Sequence, residues 1–168
     1  LIPRPETELL CRTVIDGTSD MDVRILDLCT GSGCIAWTLA LENPGAEVTA
    51  VDISDGALAV AASQDFTQET SLTCALKPDF IKADVLQETL TLEGPEKYDI
   101  IVSNPPYVMD SEKALMRANV LEHEPHLALF VPDEDPLIFY YAVARWASCL
   151  LAPGGKGVVE INEALGQQ

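Results

Sequence analysis

The chain has 168 residues, the length of one domain, and its 48% hydrophobic content supports a sizeable buried core. Its 27 acidic residues against 10 Lys and Arg give a formal net charge of −17, which repels phosphate backbones and disfavours extensive binding of duplex DNA or RNA; the same acidity also serves plain solubility. No apolar run is long enough to span a bilayer and no signal-peptide pattern is read, so neither a membrane partner nor export is expected.

In chain order, residues 7–15 read as a helix with Leu9, Leu10, Val14 and Ile15 inward and with Pro5 and Glu6 in its first turn. Residues 17–22 form a loop, and the apolar run 23–28 is a strand of a parallel sheet. Gly31-Ser32-Gly33 is a tight turn. A helix over 34–41 stops at Asn43-Pro44-Gly45, a second strand spans 47–53, and an Ala-rich helix spans 55–64. A short third strand over 80–83 ends at Asp84. Residues 93–97 turn into a fourth strand, 98–103, which delivers Asn104. Residues 112–121 read as a helix, 125–136 as a proline-rich loop and 137–151 as an apolar helix. Pro153-Gly154-Gly155 turns into a fifth strand, 157–161. Strands alternating with helices predict an α/β fold built of right-handed βαβ units, whose ligands bind beyond the carboxyl ends of the strands.

The five cysteines Cys11, Cys29, Cys34, Cys74 and Cys149 are odd in number and form no C-x-x-C pair, as expected of reduced, mostly buried thiols in a cytoplasmic protein. His123 and His126 are three apart, but Pro125 interrupts a regular helix and no third ligand is evident, so no metal is expected. The opening Leu1-Ile2-Pro3-Arg4-Pro5-Glu6-Thr7-Glu8 reads as the interior of a longer protein.

Two motifs carry chemistry. The first is Asp27-Leu28-Cys29-Thr30-Gly31-Ser32-Gly33 at the first strand-to-helix turn, where glycine lets backbone approach a ligand. It is G-x-G with Ala36 in the third glycine's place, and a tight turn without ligand has the same pattern. About 20 residues on, Asp52 ends the second strand, where an acid can accept both ribose hydroxyls. Asp84, ending the third, can accept the exocyclic amine of an adenine. Each Asp also suits a helix cap or a solvated turn. Together these parts fit a dinucleotide or S-adenosylmethionine. The latter is favoured by Asp27, an added acid for an ammonium group, and by the absence of a second glycine-rich fingerprint.

The second motif, Asn104-Pro105-Pro106-Tyr107, lies after the fourth strand, where a methyl acceptor belongs. It suits a flat, neutral, NH2-bearing group. The Asn104 side-chain oxygen accepts one N–H and the Pro105 carbonyl the other. The two prolines hold that carbonyl rigidly, and the Tyr107 ring packs on the planar group.

The chain resembles the HemK/PrmC family of protein-(glutamine-N5) methyltransferases, which modify class 1 peptide-chain release factors. The resemblance rests on Ile2-Pro3-Arg4-Pro5-Glu6-Thr7-Glu8, the Asp27-to-Gly33 loop, Ala50-Val51-Asp52-Ile53-Ser54 and Val102-Ser103-Asn104-Pro105-Pro106-Tyr107-Val108. It continues through Glu124-Pro125, Leu151-Ala152-Pro153-Gly154-Gly155 and Glu160-Ile161. Asn-Pro-Pro-Tyr alone is shared with enzymes that methylate adenine N6 or RNA guanine N2; the first segment separates the glutamine enzymes from them. The resemblance implies a Rossmann-like class I S-adenosylmethionine-dependent methyltransferase fold, a mostly parallel sheet with helices on both faces. The whole chain would be one such domain, preceded in the full protein by a small helical docking domain and followed by a last hairpin, without which the sheet has an exposed edge. It implies that Cys29, Thr30, Gly31, Ser32, Gly33, Asp52, Asp84 and Val85 hold the cofactor, with Asn104 beside it, and that Asn104, Pro105, Pro106 and Tyr107 hold the substrate glutamine. Arg4 and Glu6 line the same mouth or form a salt bridge that fixes the helix start. The chain departs from the family at Cys29, often glycine, at Val85, at the loop Asp133-Glu134-Asp135-Pro136, and at Asn162, also glycine elsewhere.

The expected reaction is in-line transfer of the sulfonium methyl to a glutamine amide nitrogen, oriented by Asn104 and Pro105. Two other readings share these motifs: a nucleic-acid amino-methyltransferase acting on a flipped base, and a cofactor-binding scaffold without catalysis.

Overall fold

The computed structural model describes residues 4–18, 22–87, 97–116 and 124–166. Outside it lie residues 1–3 of the opening motif, His123, and parts of the expected loop 17–22, turn 93–97 and helix 112–121.

Five strands form one parallel sheet: β1 (Arg24–Leu28), β2 (Glu47–Asp52), β3 (Asp79–Lys82), β4 (Tyr98–Ser103) and β7 (Leu151–Val159), in the order β3-β2-β1-β4-β7. A two-stranded parallel pair, β5 (Val108–Met109) with β6 (Phe130–Val131), stands apart from it. The helices are α1 (Pro5–Asp16), α2 (Cys34–Glu42), α3 (Asp55–Ser63), α4 (Thr67–Thr73) and α5 (Ile138–Leu150).

Successive strand side chains point to opposite faces. Ile25 and Ala50 join α1 and α2 in one apolar cluster, with Val14, Ile35 and Leu39 at its centre. Leu26, Leu28, Val51 and Ile101 join Val143 and Trp146 of α5 in the other. Helices therefore cover both faces, as expected of this α/β fold. Trp146 is buried yet satisfied, its indole N–H donating to the Val85 carbonyl at 3.0 Å.

The strand order reverses between β1 and β4, and this reversal positions the site. β1 leads on one side to β2 and β3 and on the other to β4 and β7. The chain leaving β1 and the chain leaving β4 consequently emerge side by side at the carboxyl edge of the sheet.

Four expectations are corrected. In α1 the buried positions are Thr7, Leu10, Cys11 and Val14, an i, i+3, i+4, i+7 stripe, whereas Leu9 is 66% exposed. The stripe starts on a threonine, and Leu9 falls two positions off it. Pro153-Gly154-Gly155 is not a turn before the last strand but a bulge within β7, between the pairs Tyr98–Leu151 and Ile100–Lys156. Gly154 has φ +82° there, and a Cβ on Gly155 would lie 2.8 Å from the Asp99 carbonyl oxygen. The start of the expected helix 112–121 is a 3-10 turn, Asp110–Leu115. The proline-rich loop 125–136 contains a 3-10 turn, His126–Ala128, and β6. Helix α4 lies where no element was expected. Among the described residues β7 pairs only with β4 and leaves an open, half-exposed edge.

Candidate active site

Two cavities open at the carboxyl edge of the sheet and share Asn104 on their walls. The larger holds about 460 Å³ and lies between the β1–α2 loop, the ends of β2 and β3, and Phe139 of α5, a size suited to a small-molecule cofactor. The smaller holds about 80 Å³ and lies between that loop, Arg4, Thr7, the Asn104-to-Tyr107 segment and Glu160.

The loop between β1 and α2 takes its shape from positive backbone angles at Cys29 (φ 62°), Gly31 (φ 57°) and Gly33 (φ 80°). Only Gly is unstrained there, so Cys29 carries a conformational cost. Asp52 ties the loop down. One of its carboxylate oxygens accepts the Gly31 N–H at 2.8 Å and the other accepts the Ser54 N–H at 2.9 Å. The Thr30 N–H donates to the Val51 carbonyl at 3.0 Å, and the Ser103 hydroxyl donates to the Leu28 carbonyl at 2.7 Å. The loop is thus fastened to both neighbouring strands.

Cys29, Gly31, Ser32, Asp52, Asp84, Val85 and Asn104 all line the larger cavity, and Pro106 joins them. Asp84 accepts the Leu86 N–H through one oxygen at 2.9 Å, leaving its other oxygen for a ligand. Thr30, Arg4, Pro105 and Tyr107 line the smaller cavity, together with Cys29, Gly31, Ser32 and Asn104.

Three expected residues lie elsewhere. Glu6 is exposed and lines neither cavity. Arg4 pairs with Glu124 at 3.7 Å rather than with Glu6. Gly33 lies behind the loop, where a Cβ would come within 2.8 Å of the Ala61 Cβ, so its smallness serves the packing of α2 on α3. Asp27 is wholly buried beneath the loop. One of its oxygens accepts the Thr30 hydroxyl at 2.6 Å. Burial outweighs the hydrogen bonds from Thr30 and from the Ala36 backbone and pushes its carboxyl up to about 7.

Several contributors were not anticipated. Ile53, Val60 and Leu127 are large apolar side chains, exposed by 43%, 48% and 62%, and all three line the larger cavity. Clustered exposed apolar groups around a cleft mark a ligand wall. Their signal in the sequence was slight: an apolar residue directly after Asp52, and another within an Ala-rich helix. At the smaller cavity Glu160, just past β7, accepts the Tyr107 hydroxyl at 2.8 Å and the Thr7 hydroxyl at 3.1 Å. Burial first, and then Glu160, raises the Tyr107 phenol above its ordinary value and keeps it protonated. Asn162 donates to the Tyr107 carbonyl and to Glu112, both at 3.1 Å, anchoring the chain as it leaves Tyr107.

Among the described residues no group of three or more His, Cys, Asp or Glu could hold a metal, and no helix is long and apolar enough to cross a membrane. All five cysteines are free, but against expectation only Cys11 is buried; Cys29 and Cys34 are half-buried, and Cys74 and Cys149 are exposed.

The family model of the methyltransferase small domain matches residues 5–128. A release factor glutamine methyltransferase of Bacteroides thetaiotaomicron is 50% identical over 167 residues, covering 99% of this chain and 57% of that protein. One of Flavobacterium psychrophilum is 45% identical over 172 residues, covering 100% of this chain and 57% of that protein. The chain thus spans a little over half the length of these relatives. Among solved structures, coclaurine N-methyltransferase bound to N-methylheliamine and SAH matches with a TM-score of 0.55 at 18% identity, covering 93% of this chain and 35% of the other. TrmN from Thermus thermophilus matches with a TM-score of 0.51 at 23% identity, covering 91% and 42%. These likenesses carry the fold alone, and the fold is that of the Rossmann-like methyltransferases.

Proposed function

From the premise that the chain belongs to the methyltransferase small domain family, we propose that it is the catalytic domain of a protein-(glutamine-N5) methyltransferase. It transfers a methyl group from S-adenosylmethionine to the amide nitrogen of the glutamine in the Gly-Gly-Gln motif of a class 1 release factor. The observation that carries this reading is the place of Asn104, on the wall shared by a cofactor-sized cleft and a smaller mouth. The names of the relatives at 50% and 45% identity support the substrate. We read the chain as one domain of a longer protein, with a helical docking domain before it and further strands after β7. The net charge of −17 supports a protein partner over direct contact with nucleic acid, and five free thiols suit the cytoplasm.

The residues present fit the cofactor. Asp52 keeps lone pairs on both oxygens beyond its two backbone bonds, enough to accept two ribose hydroxyls. Asp84 offers its second oxygen to an exocyclic amine, and Ile53, Val85 and Phe139 supply apolar faces for a purine. When bound, S-adenosylmethionine supplies a methyl group activated by its sulfonium. The protein supplies position and polarity. A glutamine amide is a weak nucleophile because its lone pair is delocalised. The Asn104 side-chain oxygen and the Pro105 carbonyl accept its two N–H bonds and stabilise positive charge as it grows on nitrogen. Holding the nitrogen in line contributes up to roughly 7–11 kcal/mol. Tyr107 packs on the amide face, and the displaced proton leaves from these acceptors to water.

The test is mass spectrometry of a release factor and of a duplex DNA, each incubated with S-adenosylmethionine and the protein in its full natural length. The expected result is one added methyl on the Gly-Gly-Gln glutamine, lost when that residue is Glu. A methyl on DNA alone, or on neither, overturns the proposal.

A further inference from the structure

An asparagine amide has two ends of equal size and opposite polarity, and half a turn of the group exchanges them. Which end faces the mouth decides what the mouth recognises. With the oxygen outward, it accepts from an NH2 group. With the nitrogen outward, it donates, and it then suits a carboxylate or a carbonyl oxygen. Nothing in Asn104 itself makes this choice.

Its neighbours do. The Asn104 amide nitrogen donates to the Thr7 hydroxyl oxygen at 3.2 Å. The Thr7 hydroxyl donates to one oxygen of Glu160 at 3.1 Å. The other oxygen of Glu160 accepts the Tyr107 hydroxyl at 2.8 Å. A carboxylate accepts and does not donate. Thr7 has one hydroxyl proton, and Glu160 takes it. Toward Asn104 the Thr7 oxygen can then only accept, so the group it meets must be NH2. The proton count therefore runs one way, from Asn104 through Thr7 to Glu160, and leaves the Asn104 oxygen for the mouth. Thr7 is buried at the head of the inward stripe of α1, and Glu160, half-buried just past β7, is held by its backbone N–H, which donates to the Ser103 carbonyl at 3.0 Å.

We propose that Thr7 and Glu160 are positioning residues that set the polarity of the Asn104 amide and so select an NH2-bearing acceptor over a carboxylate. This rests on the methyl-transfer reading for its catalytic consequence, but the orientation of the amide stands on the three hydrogen bonds alone. Thr7 acts through Asn104, and Glu160 acts through Thr7 while also holding the Tyr107 hydroxyl.

The experiment uses the full-length protein with Thr7→Val, Thr7→Ser and Glu160→Gln, alongside the natural sequence. Valine keeps the shape of threonine without the hydroxyl, and serine keeps the hydroxyl. The first readout is nuclear magnetic resonance of the Asn104 side-chain NH2 without any substrate. One proton of that group is expected to be hydrogen-bonded and slow to exchange in the natural protein and in Thr7→Ser, and to lose both properties in Thr7→Val. Unchanged Asn104 signals in Thr7→Val overturn the inference, whatever the enzyme turns out to modify. The second readout is transfer to the release factor. Thr7→Val is expected to lower kcat about tenfold or more while S-adenosylmethionine affinity stays within about threefold, and Thr7→Ser to keep most activity. Full kcat in Thr7→Val, or equal loss in Thr7→Ser, overturns it. If Thr7→Val does not fold, Glu160→Gln carries the test by the same resonance readout: it puts an NH2 where one acceptor stood and is expected to change the exchange of the Asn104 NH2 protons as well as to lower kcat, and unchanged Asn104 signals there overturn the inference. If the natural protein methylates no release factor, it is the proposed function that fails, and the resonance result alone decides the polarity relay.

Discussion

Asp52 accepts the Gly31 N–H at 2.8 Å, joining the end of β2 to the glycine loop that follows β1. The same carboxylate therefore shapes the loop and faces the cleft. Replacing Asp52 by Ala is expected to weaken S-adenosylmethionine binding by about tenfold or more, since it removes both a ligand acceptor and the partner of a backbone N–H. Titration calorimetry checks this; an unchanged dissociation constant would remove Asp52 from the cofactor site.

Asn104 borders both cavities, but its proposed work lies in the transition state. Asn104→Ala is expected to leave cofactor affinity within a few-fold and to lower transfer by roughly 10²–10³, the usual cost of removing one preorganised polar group. Single-turnover transfer paired with calorimetry separates the two effects. Equal loss of both would make Asn104 a binding group only.

Asp27 sets a pH dependence of stability. Its carboxyl titrates at about 7 when folded against an ordinary 3.8, because burial penalises the charge. Between those values the folded protein holds the proton and the unfolded chain does not, so this group's contribution to stability falls as pH rises from about 4 and levels off above about 7. The total is of the order of 4 kcal/mol. Asp27→Asn keeps a neutral group and is expected to be more stable than the natural protein at pH 8 and about equal to it at pH 4. Urea unfolding at the two values is the check, and a difference independent of pH would contradict the assignment.

Gly33→Ala is expected to destabilise the fold by about 2 kcal/mol or more. It places a Cβ in the left-handed region and drives it into the Ala61 Cβ, at 2.8 Å, and the Phe80 ring, at 3.2 Å. An unfolding midpoint that does not move would show that α2 and α3 shift apart freely.

Much of the fold was legible because local patterns agree with the tertiary structure. All five sheet strands were expected in chain order, four of them within one or two residues of their bounds. Their apolar runs are what a sheet covered on both faces requires. The helices over 34–41, 55–64 and 137–151 were also found close to their observed bounds, the first because Asn43-Pro44-Gly45 stops it. The failures have physical causes too. Leu9 looked inward because it is apolar, but the buried stripe of α1 is set by what the helix packs against, and that stripe begins on Thr7. β5 and β6 are two residues each and pair only with one another across about 20 residues of chain, too short for any period to show. α4 buries no residue and so carries no amphipathic signal.

At the site, the sequence by itself determined the chemical groups at the strand ends: the glycine loop, Asp52, Asp84 and the Asn-Pro-Pro-Tyr segment. A strand end can be located from local pattern alone, and each group is polar where the chain ought to be turning. Only the tertiary structure decided which of those groups face a cavity. It sank Asp27 beneath the loop and put Gly33 behind it. It also decided how Asn104 is turned, through Thr7 97 residues earlier and Glu160 56 residues later. A hydrogen bond depends on where packing brings two atoms and on which of them carries the proton, and neither is written in the spacing of residues along a chain.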